Sequence, residues 1–188
     1  FNVALVAFAG SASVVVAPTT DRGLVSRAID NLQVAPSTAI GEGIYSALDA
    51  MALAPPDPDH PDDPAPGAIV LLSDGFTNIG RKSATAAQAA KEQKIPVYTI
   101  AYGTEDGYVV DQGRREPVPV NHEELQRVAD ISGGKKYSAD SLSSLKEVYA
   151  TIAKSIGYVK VEQEVTEYYA GWALGFAVLA SMAVIALG

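Results

Sequence analysis

The sequence predicts an α/β domain, built as a doubly wound and mostly parallel sheet with an antiparallel edge hairpin, and a transmembrane helix at its C-terminus. Three observations predict it. Short apolar, β-rich runs alternate with segments of helical periodicity from residue 2 to residue 156, the rhythm of βαβ units. Residues 68–73 (Ala-Ile-Val-Leu-Leu-Ser) are a nearly unbroken apolar run ending at Asp74-Gly75, as a strand buried on both faces would be. From Gly171 to Gly188 the chain carries no charge.

The elements follow in order. Residues 2–8 and 12–17 are β-rich and are separated by Gly10-Ser11, which predicts a hairpin. From about Asp21 to Leu32, the residues Leu24, Val25, Ala28, Ile29 and Leu32 recur at helical spacing. A second helix is expected from about Gly41 to Leu53, with Ile44, Ala47, Leu48 and Met51 on one face. Ala54–Pro66 holds too many prolines for a helix or an inner strand and reads as a solvated loop. After the strand at 68–73 come a helix around Ser83–Gln93, a strand at 96–102 and an irregular insert through Pro119. A helix at about 121–131 is ended by Gly133-Gly134, and a short strand follows near 135–138. The last helix runs from about Ser141 to Ile156, with Asp140 as its expected N-cap.

The C-terminal segment is apolar on every face, whereas a helix docked on a domain keeps a polar side. Tyr168, Tyr169 and Ala170 extend the uncharged run toward the roughly 20 residues that cross a bilayer core. Tyr168, Tyr169 and Trp172 stand where an interfacial aromatic belt would lie. The expected division is a domain at 1–157, a juxtamembrane connector at 158–169 and a transmembrane helix at 170–188. Glu162, Glu164 and Glu167 precede the span with only Lys160 nearby, and this shortage of basic residues places the globular part outside the cytoplasm.

A net charge of −8 over 188 residues leaves no basic stripe to displace counterions from phosphates, so nucleic acid is not an expected partner. The absence of cysteine excludes disulfides, thiolate metal sites and cysteine nucleophiles.

In open α/β sheets, ligands gather at the carboxyl ends of the strands. Two pieces of this chain are expected there: Asp74, directly after the run 68–73, and Thr38, in the turn Pro36–Gly43 that opens the second helix. A hard cation such as Mg²⁺ takes oxygen ligands, among them one or two carboxylates, and a Thr hydroxyl with an Asp supplies part of that shell. By spacing alone the plainer reading is favoured, Asp74-Gly75 as a turn and Thr38 as a helix cap. Other candidates read more plainly as structure. The acidic cluster Asp57, Asp59, His60, Asp62 and Asp63 lacks the Gly and terminal Glu of a calcium loop. His122-Glu123-Glu124 has no second His and reads as a helix first turn favoured by acidic residues. Gly41-Glu42-Gly43 is too short for a dinucleotide fingerprint, and Ser73 lacks the context of a hydrolase nucleophile.

Three longer runs occur in a telling order: Val3–Pro18, then Ser37-Thr38-Ala39-Ile40-Gly41-Glu42-Gly43-Ile44, then Ile69-Val70-Leu71-Leu72-Ser73-Asp74-Gly75. In this order they resemble a von Willebrand factor A (VWA) domain, and more closely the bacterial membrane-anchored VWA proteins of the Bat (aerotolerance) type. Further matches are Ile95–Thr104, the Pro117-Val118-Pro119-Val120 insert and Ser132–Tyr137. The resemblance extends over nearly the whole chain, the C-terminal span included.

The resemblance implies a metal-ion-dependent adhesion site. It binds Mg²⁺ or another divalent cation, completed by an acidic group of a partner protein. Its ligands are an Asp-x-Ser-x-Ser loop after the first strand, a Thr in a later loop and an Asp after the fourth strand. Thr38 matches that Thr and Asp74 that Asp. The Asp-x-Ser-x-Ser motif is missing, since Ala9 stands where Ser11-Ala12-Ser13 would need its Asp. The chain starts where the family's second strand starts, so the expected sheet lacks its first central strand and the chain is expected to be N-terminally truncated. The resemblance implies as partners other Bat-type VWA proteins and a MoxR-type AAA+ ATPase, and a binding module rather than an enzyme. A Mg²⁺-dependent phosphotransfer or hydrolase domain with Asp74 as nucleophile is the rival. It is weakened because no Asp-x-Asp accompanies Asp74. A VWA fold with no working metal site is a third reading.

Overall fold

The computed structural model describes residues 1–55, 67–73, 77–102, 108–111, 114–117 and 121–157. Phe1–Ile156 forms one compact unit and Gly157–Gly188 a second. All of the second unit except Gly157 lies outside the described residues, and with it the expected span at 170–188. Among the described residues no helix is long and apolar enough to cross a membrane.

The expected hairpin is present as β1 (Val3–Phe8) and β2 (Ala12–Thr19), an antiparallel pair whose register shifts between Val3 and Val6. Helix α1 (Arg22–Asp30) starts where Asp21 caps it, accepting the Leu24 N–H at 3.0 Å. It ends two residues short of the expected Leu32. Helix α2 (Ile40–Met51) buries Ile40, Ile44 and Leu48. Strand β3 (Ile69–Ser73) lies beside β4 (Val97–Tyr102), which lies beside β7 (Lys136–Ala139), all parallel. The crossovers are α3 (Ser83–Glu92) and α4 (His122–Ser132). Helix α5 (Leu142–Gly157) closes the domain.

The sheet is covered on both faces, as a doubly wound fold requires. Ile69, Leu71, Val97 and Ala101 pack with Ile40, Ile44 and Leu48 of α2, Ala86 and Ala90 of α3, and Leu125 and Val128 of α4. The alternate residues Val70, Tyr98 and Ile100 pack with Leu145, Val148 and Ile152 of α5. Each of the large aliphatic side chains so buried stabilises the fold by about 1.5–3 kcal/mol. Polar stitches fix α4 on β4: the Val97 N–H donates to Ser132 Oγ at 3.0 Å, and the Thr99 hydroxyl to the Leu125 carbonyl at 3.0 Å. Leu72 departs from expectation. It is 38% exposed although its run is almost wholly apolar, because the packing on the α5 face reaches Val70 but not Leu72.

Three further differences have physical causes. The insert after residue 102 holds an antiparallel ribbon, β5 (Tyr108–Asp111) with β6 (Arg114–Pro117), where only irregular chain is expected. Its sequence has no sustained alternation to announce it. Ser141, not Asp140, caps α5: Ser144 N–H donates to Ser141 Oγ at 3.3 Å, and Asp140 instead accepts the Ser144 hydroxyl at 3.1 Å. Finally, among the described residues β1 pairs with β2 alone and β3 with β4 alone. Among the described residues β1 and β3 do not pair, and α2 spans the two sheets, packing on β1, β2 and β3.

Candidate metal site

Thr38 sits in a turn that is held from both sides. Ser37, just before it, has a left-handed backbone with φ 72°, uncommon for a residue with a side chain. The Thr38 N–H donates to Asn78 Oδ1 at 2.9 Å, and the Asn78 N–H donates to the Thr38 carbonyl at 3.0 Å. Asn78 lies five residues beyond the end of β3, so the turn is fastened to the loop leaving that strand. Thr38 is not a helix cap: Ala39 occupies the cap position of α2 and makes no side-chain bond there. Among the described residues no side chain hydrogen-bonds its hydroxyl. The β1–β2 turn reaches the same place, since a side chain at Gly10 would touch Pro36 and Ser37.

A second tie binds α2 to the same loop. Glu42, in the first turn of α2, accepts the Arg81 backbone N–H at 3.0 Å and Nε at 2.9 Å on Oε1, and Nη2 at 2.6 Å on Oε2. Arg81 lies 3.7 Å over the Tyr45 ring. Hydrogen bonding from the Arg81 side chain, then from its backbone, lowers the Glu42 carboxyl to about 2. The loop fits only because two positions lack side chains. A Cβ at Gly41 would collide with the Arg81 carbonyl, and Gly80 turns with φ +82° against the Glu42 side chain.

The third tie comes from α4. Glu124 accepts the Thr77 N–H at 3.1 Å and the Asn121 amide at 3.0 Å on Oε2, and the Ser83 hydroxyl at 2.6 Å and the Thr77 hydroxyl on Oε1. Partial burial would raise this carboxyl, but the bonds from Ser83, Thr77 and Asn121 outweigh it and lower it below its ordinary value. A cleft of about 390 Å³ lies alongside, lined by Lys82, Ser83, Asn121, Glu124 and Arg127 among others.

The sequence-based candidates fall unevenly on this geometry. Thr38 stands at the carboxyl edge of the sheet, against the loop that follows β3. Asp74 lies outside the described residues, between Ser73, the buried last residue of β3, and Thr77. The cluster Asp57–Asp63 also lies outside them. The chain re-enters at Gly67, where a side chain would strike Met51 at the end of α2, the helix end remote from Thr38. Ser11-Ala12-Ser13 forms the β1–β2 turn and start of β2, with the Ala9 N–H on the Ser11 carbonyl at 2.8 Å. His122 opens α4 with Nδ1 3.3 Å from Lys136 Nζ. Among the described residues no three His, Cys, Asp or Glu side chains gather for a metal ion. Among the described residues the Thr38 hydroxyl, on a braced turn, has no hydrogen-bond partner, and an oxygen of this kind suits part of the shell of a hard cation. The loop-bracing roles of Glu42 and Glu124 escape sequence reading, because each reaches a partner 39 or more positions away.

A parallel sheet sheathed by helices, with loops braced together at its carboxyl edge, defines a doubly wound α/β domain. The chain belongs to the von Willebrand factor type A domain family, whose model matches residues 1–151. Among curated relatives, a UPF0353 protein of Mycolicibacterium paratuberculosis is 44% identical, over 99% of this chain and 57% of that protein. The chain therefore spans just over half the length of that relative. Among solved structures, BatB from Bacteroides thetaiotaomicron superposes with a TM-score of 0.67 at 22% identity, covering 82% of this chain and 78% of that one. An aerotolerance-related membrane protein from Bacteroides fragilis gives 0.63 at 22% identity, covering 81% and 79%. Proximal thread matrix protein 1 from the mussel byssus, with a zinc-occupied MIDAS motif, gives 0.57 at 20% identity, covering 80% and 34%.

Proposed function

We propose that this chain is a membrane-tethered VWA module that recognises a partner protein through a divalent cation, and that it is not an enzyme. Thr38 and Asp74 would supply two of the oxygen ligands for Mg²⁺ or a similar ion, and the partner an acidic group. The bound cation would act as the attractive centre for that group. The observation that carries this reading is the reciprocal Thr38–Asn78 pairing, which fastens the Thr turn to the loop that follows Asp74. The zinc-occupied MIDAS of the mussel protein supports it, as does the likeness to an aerotolerance-related membrane protein. The division into a domain at 1–157, a connector at 158–169 and a span at 170–188 belongs to the same proposal, with the domain outside the cytoplasm. The partners would be other Bat-type proteins and a MoxR-type AAA+ ATPase. Direct contact with a cytoplasmic ATPase would require a cytoplasmic segment of this protein or of another subunit.

The test is divalent-ion binding by the full-length protein, followed by Mn²⁺ titration, with Thr38→Ala and Asp74→Ala beside the wild type. Loss of Mn²⁺ affinity in Asp74→Ala, with weakening in Thr38→Ala, supports the reading. Equal affinity in all three removes Thr38 and Asp74 as ligands. Sustained Mg²⁺-dependent turnover of phosphate esters, lost in Asp74→Ala, would replace the module by an enzyme.

A further inference from the structure

We infer that Glu124 is the positioning residue of the metal-site loop, holding from α4 residues 77–83, which follow Asp74 in the chain. The inference rests on the metal-binding reading above and deepens it. Glu124 is the third residue of α4, whose N-cap Asn121 already satisfies the Glu124 N–H at 3.0 Å. A glutamate at this position ordinarily turns back to the backbone N–H of the cap residue and serves its own helix. This one turns outward. It meets Asn121 only through the side-chain amide and spends its other acceptor capacity on Thr77 and Ser83. Both carboxylate oxygens thereby take two donors each. A carboxylate so occupied is committed to holding the loop, with little capacity left to bind a cation itself.

The placement of those donors gives the tie its function. Thr77 lies three residues beyond Asp74 and is the first described residue after it, held through both its N–H and its hydroxyl. Ser83 is the first residue of α3, whose cap position, Lys82, makes no side-chain bond. Glu124 therefore pins the described part of the loop at both ends, at Thr77 and at Ser83 where α3 begins. Thr38–Asn78 and Glu42–Arg81 pin its middle to α2 and to the turn before it. A ligand aspartate on a loop of this kind keeps its direction only if the loop resists the pull of the ion, and such supporting contacts are commonly worth about 10–100-fold in metal affinity.

The experiment compares full-length wild type, Asp74→Ala, Glu124→Gln, Thr77→Val and Ser132→Ala. Each is read by Mn²⁺ titration, urea midpoint and, without metal, amide hydrogen exchange of residues 77–83. Glu124→Gln removes the carboxylate charge and one acceptor oxygen: with the amide oxygen kept toward the Thr77 N–H and the Asn121 amide, an NH₂ faces the Thr77 and Ser83 hydroxyls, which must then accept instead of donate. Thr77→Val removes one donor at near-constant volume and serves should Glu124→Gln not fold. Ser132→Ala removes a buried polar stitch at the other end of α4, and is expected to lower the urea midpoint with Mn²⁺ affinity unchanged. Glu124→Gln is expected to weaken Mn²⁺ binding about tenfold or more, and Thr77→Val in the same direction. Both should speed exchange in 77–83 while β3 and β4 stay protected. If Glu124→Gln and Thr77→Val bind Mn²⁺ like the wild type while Asp74→Ala does not, the positioning role is overturned and the metal reading stands. If Asp74→Ala also binds like the wild type, the metal reading falls and takes this inference with it.

Discussion

Thr38 and Asn78, 40 positions apart, exchange two hydrogen bonds, one through the Asn78 side chain and one through its backbone. Asn78→Ala removes the acceptor of the Thr38 N–H and leaves the second bond alone to hold the turn. Because the site is exposed, water replaces the lost partner and the stability cost should be about 0.5–1.5 kcal/mol. Divalent affinity should suffer more, since the turn already contains the left-handed Ser37 and has a more relaxed conformation to adopt. Urea denaturation and Mn²⁺ titration of the same variant separate the two effects. Intact Mn²⁺ affinity would mean that the pairing serves the fold alone.

The Glu42–Arg81 pair predicts a pH dependence of definite sign. In the folded protein Glu42 titrates at about 2, below the 4.5 of an unperturbed glutamate. The folded state therefore favours the charged carboxylate. The contribution is fully present above the unfolded value and is lost as pH falls from 4.5 toward 2. Glu124 is lowered in the same direction and adds to the acid sensitivity. The melting-temperature difference between wild type and Glu42→Gln should be constant near neutrality and shrink through this acid window. A difference that widened on acidification would contradict the assignment.

Two glycines at opposite ends of the sheet make a paired test of what braces the site. A Cβ at Gly41 would collide with the Arg81 carbonyl, and one at Gly134 with the Val97 carbonyl where β4 begins. Neither obstacle is a flexible side-chain end, so both alanine variants should lose about 1–3 kcal/mol, the usual range for overpacking. Their effects on metal should differ. Gly41→Ala pushes α2 away from the 77–82 loop and should weaken Mn²⁺ binding, whereas Gly134→Ala should leave it unchanged. Equal Mn²⁺ affinities at matched stability would show that the α2–loop contact does not reach the site.

Much of the fold was legible because its signals are local. The helices expected from about Asp21 and 121 are present, with Asp21 and Asn121 found to cap them, and Gly133 in its left-handed turn ends α4 as expected, whereas the cap read at Asp140 falls to Ser141. The apolar run at 69–73 announces β3. The end of α3 is less legible, because Lys94 occupies with φ 58° a left-handed position that glycine or asparagine usually marks. Of the proposed site, Thr38 is marked in the sequence by its turn and its family match, but nothing near Glu42 or Glu124 points to Arg81 or Thr77. As acidic residues in helix first turns, both have a sufficient local explanation, favourable interaction with the helix dipole. Only the packing of α2 and α4 against one loop gives them a second role.

The open strand edges predict how the chain behaves in isolation. Among the described residues β1 and β3 are each paired on one side only, yet both run under α2. Among the described residues, and leaving Ser73 aside, one edge of each therefore has no strand beside it, and such an edge is a template for pairing with other chains. Leu72 of β3 is 38% exposed, and on the other sheet Val14 and Val15 are 38% and 41% exposed, apolar surface that favours association. Residues 1–167, which omit the expected span, should accordingly show a low urea midpoint and concentration-dependent association. A longer form in which an added strand lies between β1 and β3 should be monomeric, unfold cooperatively at a higher midpoint and protect the amides of both strands from exchange. Sedimentation, urea titration and hydrogen exchange on the two forms decide the matter. If residues 1–167 are monomeric and unfold cooperatively at the same midpoint as the longer form, the two edges are satisfied without an inserted strand.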